Sequence, residues 1–357
     1  MKGESEKGES IGTAARAVAV LAKRSTVNEA TRSVKFLRCL AFSLFPFLFC
    51  LGIAAASAQG YPSRAVRFLV PNPPGGGTDL VARIVAQKVS EQWGVNLVVD
   101  NRPGAGGIIA VEVAAKSAPD GYTLLMAHFP LAITVNIAKV SFDPVRDFAP
   151  VTLLATTQNA LAINPSVPAK TVQEFVALAK AKPGRFSYAS GGNGTSMHVS
   201  AELFNLMAGV SMTHVPYKGA GPALVDLIGG QVQASFLSVP AAVPHIKSGK
   251  IRALAVTGAR RSPLVPDLPT LSEAGLKGYG SEQWYGVLVP RQTPRTIVQR
   301  LNQDFARALG APDTRSRLQE SGYDIAANTT EEWFGRFIQS EIAKWGEVVR
   351  KAGIRAD

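Results

Sequence analysis

From residue 66 onward, short runs of β-branched and aliphatic residues alternate with amphipathic stretches, and this alternation restricts the chain to an α/β fold more than any other feature. Val66–Val70 reads as a strand, and Val81, Ile84, Val85, Val89 and Trp93 then recur at helical spacing. The rhythm predicts further strands at 96–100, 123–127, 151–156, 213–216, 233–237 and 252–256, with a short run at 185–189. It predicts helices at 107–118, 171–182, 195–208, 221–229 and 240–248. Only one strand, at 285–289, accompanies the last helices at 294–308, 312–321 and 330–351. One strand is too little sheet for an independent domain, so the tail is expected to return to the first lobe. The chain then crosses between two lobes twice, near 155–163 and 278–287, and the crossings form a hinge.

The first 58 residues read as an export signal. Arg32, Lys35 and Arg38 precede an apolar run over 39–56 that ends in Ala56-Ser57-Ala58, a small-residue cleavage pattern. The run contains Pro46 and is short for a membrane span, which needs about 20 apolar residues. The mature start is expected at Gln59, in the periplasm, with translation beginning near Val34 as a shorter alternative. Both cysteines, Cys39 and Cys50, fall in this segment, so the mature chain has no thiol, disulfide or Cys-ligated metal. Removing eight Lys/Arg and four Asp/Glu with the signal takes the formal charge from +12 to +8. The remaining basic residues are scattered, without a stripe or aromatic interleaving, which together with export argues against nucleic acid. A mature chain of 299 residues exceeds the usual single-core size, and two lobes are expected.

Two glycine-rich turns run straight into predicted helices: Pro71-Asn72-Pro73-Pro74-Gly75-Gly76-Gly77-Thr78-Asp79 and Ser190-Gly191-Gly192-Asn193-Gly194-Thr195-Ser196-Met197-His198. A helix start leaves about four backbone N–H groups unpaired and carries roughly half a positive charge. Glycine lets an anion approach those amides, and Thr78 and Thr195 supply a hydroxyl as donor or cap. The plain alternative is a tight turn in which Thr78 or Asp79 caps its helix. Asp79 suits the helix dipole but repels an anion if aimed at it; as a ligand residue it would accept from a bridging water or an amine. Ligands of open α/β sheets sit beyond the carboxyl ends of strands, so both turns are expected to face one cleft.

Other chemistries lack support. A Walker phosphate loop needs Gly-Lys-Ser/Thr where this chain has Thr78-Asp79, and a dinucleotide fingerprint over 104–109 meets Ile109 instead of glycine. His128, His198, His214 and His245 fall in separate elements without zinc spacing, and no Gly-x-Ser-x-Gly elbow occurs. A hydrolase would need a serine within reach of a histidine. His198, one turn into its helix, reads as a packing or helix-face residue, and Lys218 as solvated surface unless it and Tyr217 close over a ligand.

The order of motifs resembles the extracytoplasmic substrate-binding receptors of tripartite tricarboxylate transporters, also called the Bug family, over nearly all of residues 60–357. The resemblance is carried by Pro74-Gly75-Gly76 with Asp79, Asn101-Arg102-Pro103-Gly104-Ala105-Gly106-Gly107, Pro119-Asp120-Gly121-Tyr122-Thr123-Leu124, Asp147-Phe148-Ala149-Pro150-Val151, Pro216-Tyr217-Lys218-Gly219, Gly229-Gly230-Gln231 and Leu254-Ala255-Val256-Thr257. It implies an α/β, two-lobed periplasmic binding protein, type II-like, each lobe a mixed, mainly parallel sheet flanked by helices, with the ligand cleft between lobes. Lobe 1 would comprise 59–157 and 284–357, and lobe 2 residues 158–283. The implied ligand is a small organic acid, delivered to membrane permease subunits by a monomer without catalysis, cofactor or metal. A sensor for a signalling partner and a secreted hydrolase are the alternatives. The implied binding set is Pro74, Gly75, Gly76, Thr78 and Asp79 on the first turn, Ser190, Gly191, Gly192, Asn193, Gly194, Thr195 and His198 on the second, and His128, Phe129, Pro130, Tyr217, Lys218, Gly219 and Ser238 around them. Where relatives often carry a small hydroxyl-rich loop, this chain has His128-Phe129-Pro130-Leu131. That departure predicts a more apolar pocket, favouring an aromatic or aliphatic acid over citrate or aspartate.

Overall fold

The computed structural model describes residues 60–326 and 329–355. The expected export signal over 1–58, with Cys39 and Cys50, lies outside the described residues. No helix among those described is long and apolar enough to cross a membrane.

The chain opens with the anticipated rhythm: β1 (Val66–Val70), α1 (Gly77–Trp93), β2 (Leu97–Asn101), α2 (Ile108–Ala115) and β3 (Thr123–His128). β1 lies between β2 and β3 and is parallel to both, so Phe68, Leu69 and Val70 are buried under helices. The apolar positions of α1 lie on its sheet-facing side, where Val81, Ile84, Val85 and Val89 are buried.

Directly after β3 comes α3 (Pro130–Ile137), a helix that the sequence pattern did not predict. Pro130 occupies its first turn, where a missing N–H costs nothing.

β4 (Phe148–Ile163) is far longer than the predicted 151–156. The polar run Thr156-Thr157-Gln158-Asn159 looks like a strand end, but pairing continues through it. Thr157 Oγ1 donates to the Gly322 carbonyl at 2.9 Å, and the Asn159 amide donates to Thr257 Oγ1 at 2.9 Å. These partners satisfy the polar groups that burial would otherwise penalise.

β4 therefore serves both lobes as one unbroken strand. Its first part pairs antiparallel with β9 (Glu282–Pro290) and β10 (Asp324–Ile325), and its last residues with β7 (Ala234–Ser238) and β8 (Arg252–Val256). At the waist Thr157 faces Gln283 and Gln158 faces Glu282, so the two crossings are hydrogen-bonded to each other. In the second lobe, α4 (Val172–Ala181) precedes β5 (Ser187–Ser190), which is parallel to β7 and to β6 (Thr213–Pro216). α5 (Ser196–Ala208), α6 (Ala220–Ile228) and α7 (Val239–Lys247) each follow one of these strands. The sheets are mixed. Parallel pairing occupies the wings, and the two spanning strands bring more antiparallel pairing than the βαβ rhythm implies.

β9 returns beside β3, and α8 (Arg295–Gly310), α9 (Pro312–Glu320) and α10 (Glu331–Ala352) pack on the first lobe. Its core joins Phe129, Phe148, Trp284, Phe334 and Trp345; a second core joins Leu161, Phe175, Tyr188, Phe204 and Phe236. Val199 of α5 belongs to the first of these cores and packs the two lobes together.

Candidate functional site

Five helix starts meet at one cleft of about 430 Å³. Gly77 and Thr78 open α1, Pro130 opens α3, Ser196 opens α5, Ala220 opens α6, and Ser238 precedes α7. Each follows the carboxyl end of a strand or the short turn beyond it, which puts unpaired amides and positive helix ends around the same space. Thr157, Gln283 and Tyr285 from the spanning strands and Tyr323 complete the wall. No lysine or arginine is among the lining residues.

The first turn is held by Asn101. Its Nδ2 donates to the Asn72 carbonyl and to Asp79 Oδ1, each at 2.9 Å. Asp79 Oδ2 accepts from the Gly75 amide and from Arg83 Nε, both at 2.9 Å. Burial raises the Asp79 carboxyl's affinity for a proton, but Arg83, the Gly75 amide and Asn101 outweigh it and hold the group below the ordinary aspartate range. Asp79 thus braces its own turn instead of facing the cleft. Pro74, Gly75 and Gly76 form the exposed tip of that turn. Gly77 is where backbone comes close: a Cβ there would sit 2.5 Å from the Tyr323 hydroxyl oxygen. The Tyr285 and Tyr323 rings pack edge-on at 5.6 Å beside it.

The second turn is braced in the same manner. Thr195 caps α5 by accepting from the His198 amide at 3.4 Å, while its hydroxyl donates to the Gly192 carbonyl at 2.8 Å. His198 Nδ1 accepts from the Gly194 amide at 3.2 Å, and its ring stacks on His214 with centroids 3.9 Å apart. Burial, reinforced by the charge of His214, pushes His198 down to about 3, so it is neutral near pH 7. Ser190 Oγ lies 2.6 Å from His214 Nε2. That contact is of the kind a hydrolase needs, yet Ser190 is fully buried, accepts from the Gly192 amide at 3.1 Å, and does not reach the cleft, nor does His214.

His128 lies at the end of β3, directly opposite Tyr285 of β9. Such cross-strand partners share a face, so both side chains point to the cleft side of the sheet. Burial pushes His128 down to about 4. Phe129 contributes to the cleft wall, but its ring packs edge-on against Trp345 at 5.0 Å in the core. The apolar contribution expected from this loop therefore falls mainly to Pro130, with Met197, Pro240 and Ala241 from the other lobe.

Of the predicted binding residues, Thr78, His128, Phe129, Pro130, Gly191, Thr195, Gly219 and Ser238 line the cleft together. Pro74, Gly75, Gly76, Asp79, Ser190, Gly192, Asn193, Gly194, His198, Tyr217 and Lys218 do not. Most of these support a turn, and Tyr217 donates to Asp226 on α6 at 2.6 Å rather than closing over the space. Lys218 is exposed on the surface. Sequence reasoning missed Asn72, Thr157, Gln283, Tyr285 and Tyr323. Asn72 sits inside a turn already singled out and was within reach; Thr157, Gln283 and Tyr285 are placed by strand pairing and Tyr323 by the turn between α9 and β10, and neither leaves a local signal.

Residues 81–354 match the tripartite tricarboxylate transporter family receptor. The Bordetella pertussis protein BugT is 37% identical over 313 residues, covering 87% of this chain and 96% of that protein. Among solved structures, R. palustris Rpa4515 with adipate superposes with a TM-score of 0.73 at 38% identity, covering 83% of this chain and 99% of that one. MatC from Rhodopseudomonas palustris, with bound malate, gives 0.70 at 35% identity, covering 81% and 100%. With its two-lobed fold and a cleft ringed by helix starts, the chain belongs to the tripartite tricarboxylate transporter receptor family, the Bug proteins.

Proposed function

We propose that this chain is a periplasmic receptor that captures a small organic carboxylate between its lobes and delivers it to the permease subunits of a tripartite transporter, acting as a monomer without catalysis. The observation that carries the reading is the convergence of five helix starts on one cleft whose lining has no cationic side chain. Peptide dipoles and free amides there do for an anion what an arginine clamp does elsewhere. The adipate and malate held by two similar proteins support the ligand class. The reading assigns residues 59–157 and 284–357 to lobe 1 and 158–283 to lobe 2. Thr78, Gly191, Thr195, Gly219 and Ser238 would hold the carboxylate, and Pro130, Met197, Pro240 and Ala241 its apolar body. Export follows from cleavage after Ala58, which the mass of the secreted protein checks.

A thermal-shift panel of aromatic, aliphatic and hydroxylated acids, with citrate and aspartate included, tests the reading. A ligand at about 100 times its Kd adds roughly 2.7 kcal/mol, a shift of a few degrees. Silence across the whole panel would sink the receptor assignment. Far tighter binding of citrate or aspartate than of any aromatic or aliphatic acid would sink only the apolar-body preference.

A further inference from the structure

We propose that Gln283 is a ligand-contact residue, donating from the waist of the molecule to a carboxylate oxygen of the bound acid, and that Asn159 and Ser200 are the positioning residues that hold it there. The inference deepens the receptor reading and rests on it.

Strand register aims the side chain. Gln283 and Tyr285 stand two residues apart on β9, and Gln283 lies opposite Thr157 of β4. Residues two apart on a strand, and residues directly opposite on its neighbour, share a face of the sheet. All three line the cleft. Glu282 takes the other face, where its Oε1 accepts from the Ala259 amide at 3.0 Å. The carboxylate next in sequence is thereby kept off the surface that an anion would meet.

A buried network fixes the carboxamide. Gln283 Nε2 donates to Asn159 Oδ1 at 3.1 Å, and Asn159 Nδ2 donates to Ser200 Oγ at 3.4 Å. Ser200 Oγ lies 2.7 Å from Ser281 Oγ, and the Tyr279 hydroxyl donates to the Ser200 carbonyl at 2.7 Å. Thr257 closes the network: its hydroxyl donates to the Ser281 carbonyl at 2.6 Å and accepts from the Asn159 amide at 2.9 Å. Asn159, Ser200, Ser281, Thr257 and Tyr279 are all buried. Both crossings are in this way bonded to α5, the helix whose start carries Thr195 and the second glycine-rich turn. The position of Gln283 relative to that helix start is therefore set by packed, hydrogen-bonded groups.

The network is left open where it meets the cleft. Gln283 is half-buried and makes this one side-chain hydrogen bond among the described residues. A carboxamide has two N–H donors and an acceptor oxygen, so one N–H and Oε1 remain. A partly satisfied network in low dielectric is costly, and an acid in the cleft completes this one. The cleft wall has no cation, so a carboxylate there takes its hydrogen bonds from amides and hydroxyls. Of the two groups left on Gln283, the N–H attracts an anion and Oε1 does not. A hydrogen bond to a charged acceptor is about twice as strong as a neutral one.

The test is calorimetric titration of the protein purified from cells expressing the full chain, with the tightest-binding acid among adipate, malate, succinate, butyrate and benzoate. Gln283→Met keeps the length without the N–H and is expected to weaken that acid about tenfold. Gln283→Glu sets a carboxylate against the ligand and should weaken it further. Asn159→Ala should weaken it several-fold on its own and have no further effect beside Gln283→Met, because it acts through that side chain. A purely structural role for Asn159 would instead give additive losses. Unchanged affinity in both Gln283 variants, with native far-UV circular dichroism, overturns the contact and leaves the receptor reading intact; additive losses overturn the positioning role. Ser200→Ala supplies the same cycle where Asn159→Ala does not fold. If the unsubstituted protein binds none of these acids, the receptor reading fails and the inference with it.

Discussion

The Asn101 side-chain nitrogen donates at 2.9 Å to Asp79 Oδ1 and, at the same distance, to the backbone carbonyl of Asn72. One amide thus ties both ends of the first glycine-rich turn to the end of β2. A motif residue at the end of β2 fixes the loop after β1, and the Asp79 charge is absorbed before it can oppose a bound anion. Replacing Asn101 by Ala strands a buried carboxylate oxygen and a carbonyl, at a cost of about 1–3 kcal/mol. Urea denaturation should show this loss together with weaker ligand binding, and wild-type behaviour in both would show that the tie is dispensable.

Gly191 lies where two lining turns come closest. A Cβ on it would sit 3.3 Å from the Ala220 amide nitrogen, in front of the first turn of α6. Gly191→Val should therefore cover an anion-binding amide, lowering affinity more than tenfold while far-UV circular dichroism stays native. Retained affinity would mean that α6 does not contact the ligand.

Thr195 joins two jobs, capping α5 and holding the Gly192 carbonyl. Thr195→Ala is expected to cost about 0.5–2 kcal/mol, with Thr195→Ser recovering most of it because the hydroxyl returns. Thermal melts of the three proteins measure this directly; a serine variant no better than alanine would point to the methyl group instead.

Acid should weaken the fold through His128. Its pKa falls from 6.5 to about 4 on folding, so between those values the unfolded chain binds the proton and the native chain does not. Stability is complete above pH 6.5 and declines as pH falls toward 4, by on the order of 3 kcal/mol for this residue. His198, held near 3, acts in the same direction. His128→Asn should flatten the stability profile between pH 7 and 4.5, as read by denaturation midpoints. A variant with an unchanged slope would place the acid sensitivity elsewhere.

Much of the fold was legible along the chain. β1 and β8 end where their apolar runs end, because a buried strand needs an unbroken apolar face and the flanking turn residues cannot supply one. β4 extends past its expected end at 156 because the polar side chains of 157–159, which look like a strand end, are satisfied by Gly322, Gly258 and Gln283 from distant segments. α3 was missed for a related reason: its apolar residues are buried on nearly every side between lobes, which erases the helical alternation.

The sequence by itself determined that two glycine-rich turns lead into helices, because glycine and a capping hydroxyl act within a few residues. Tertiary structure alone decided which atoms of those turns face the cleft. Asp79 and His198 were named as ligand residues and instead brace the turns, while Tyr285 and Tyr323, more than a hundred residues later, close around Gly77. The physical reason is range. Capping and backbone freedom are local, but the direction of a side chain in a sheet depends on register with strands from elsewhere in the chain, and no stretch of sequence encodes that register alone.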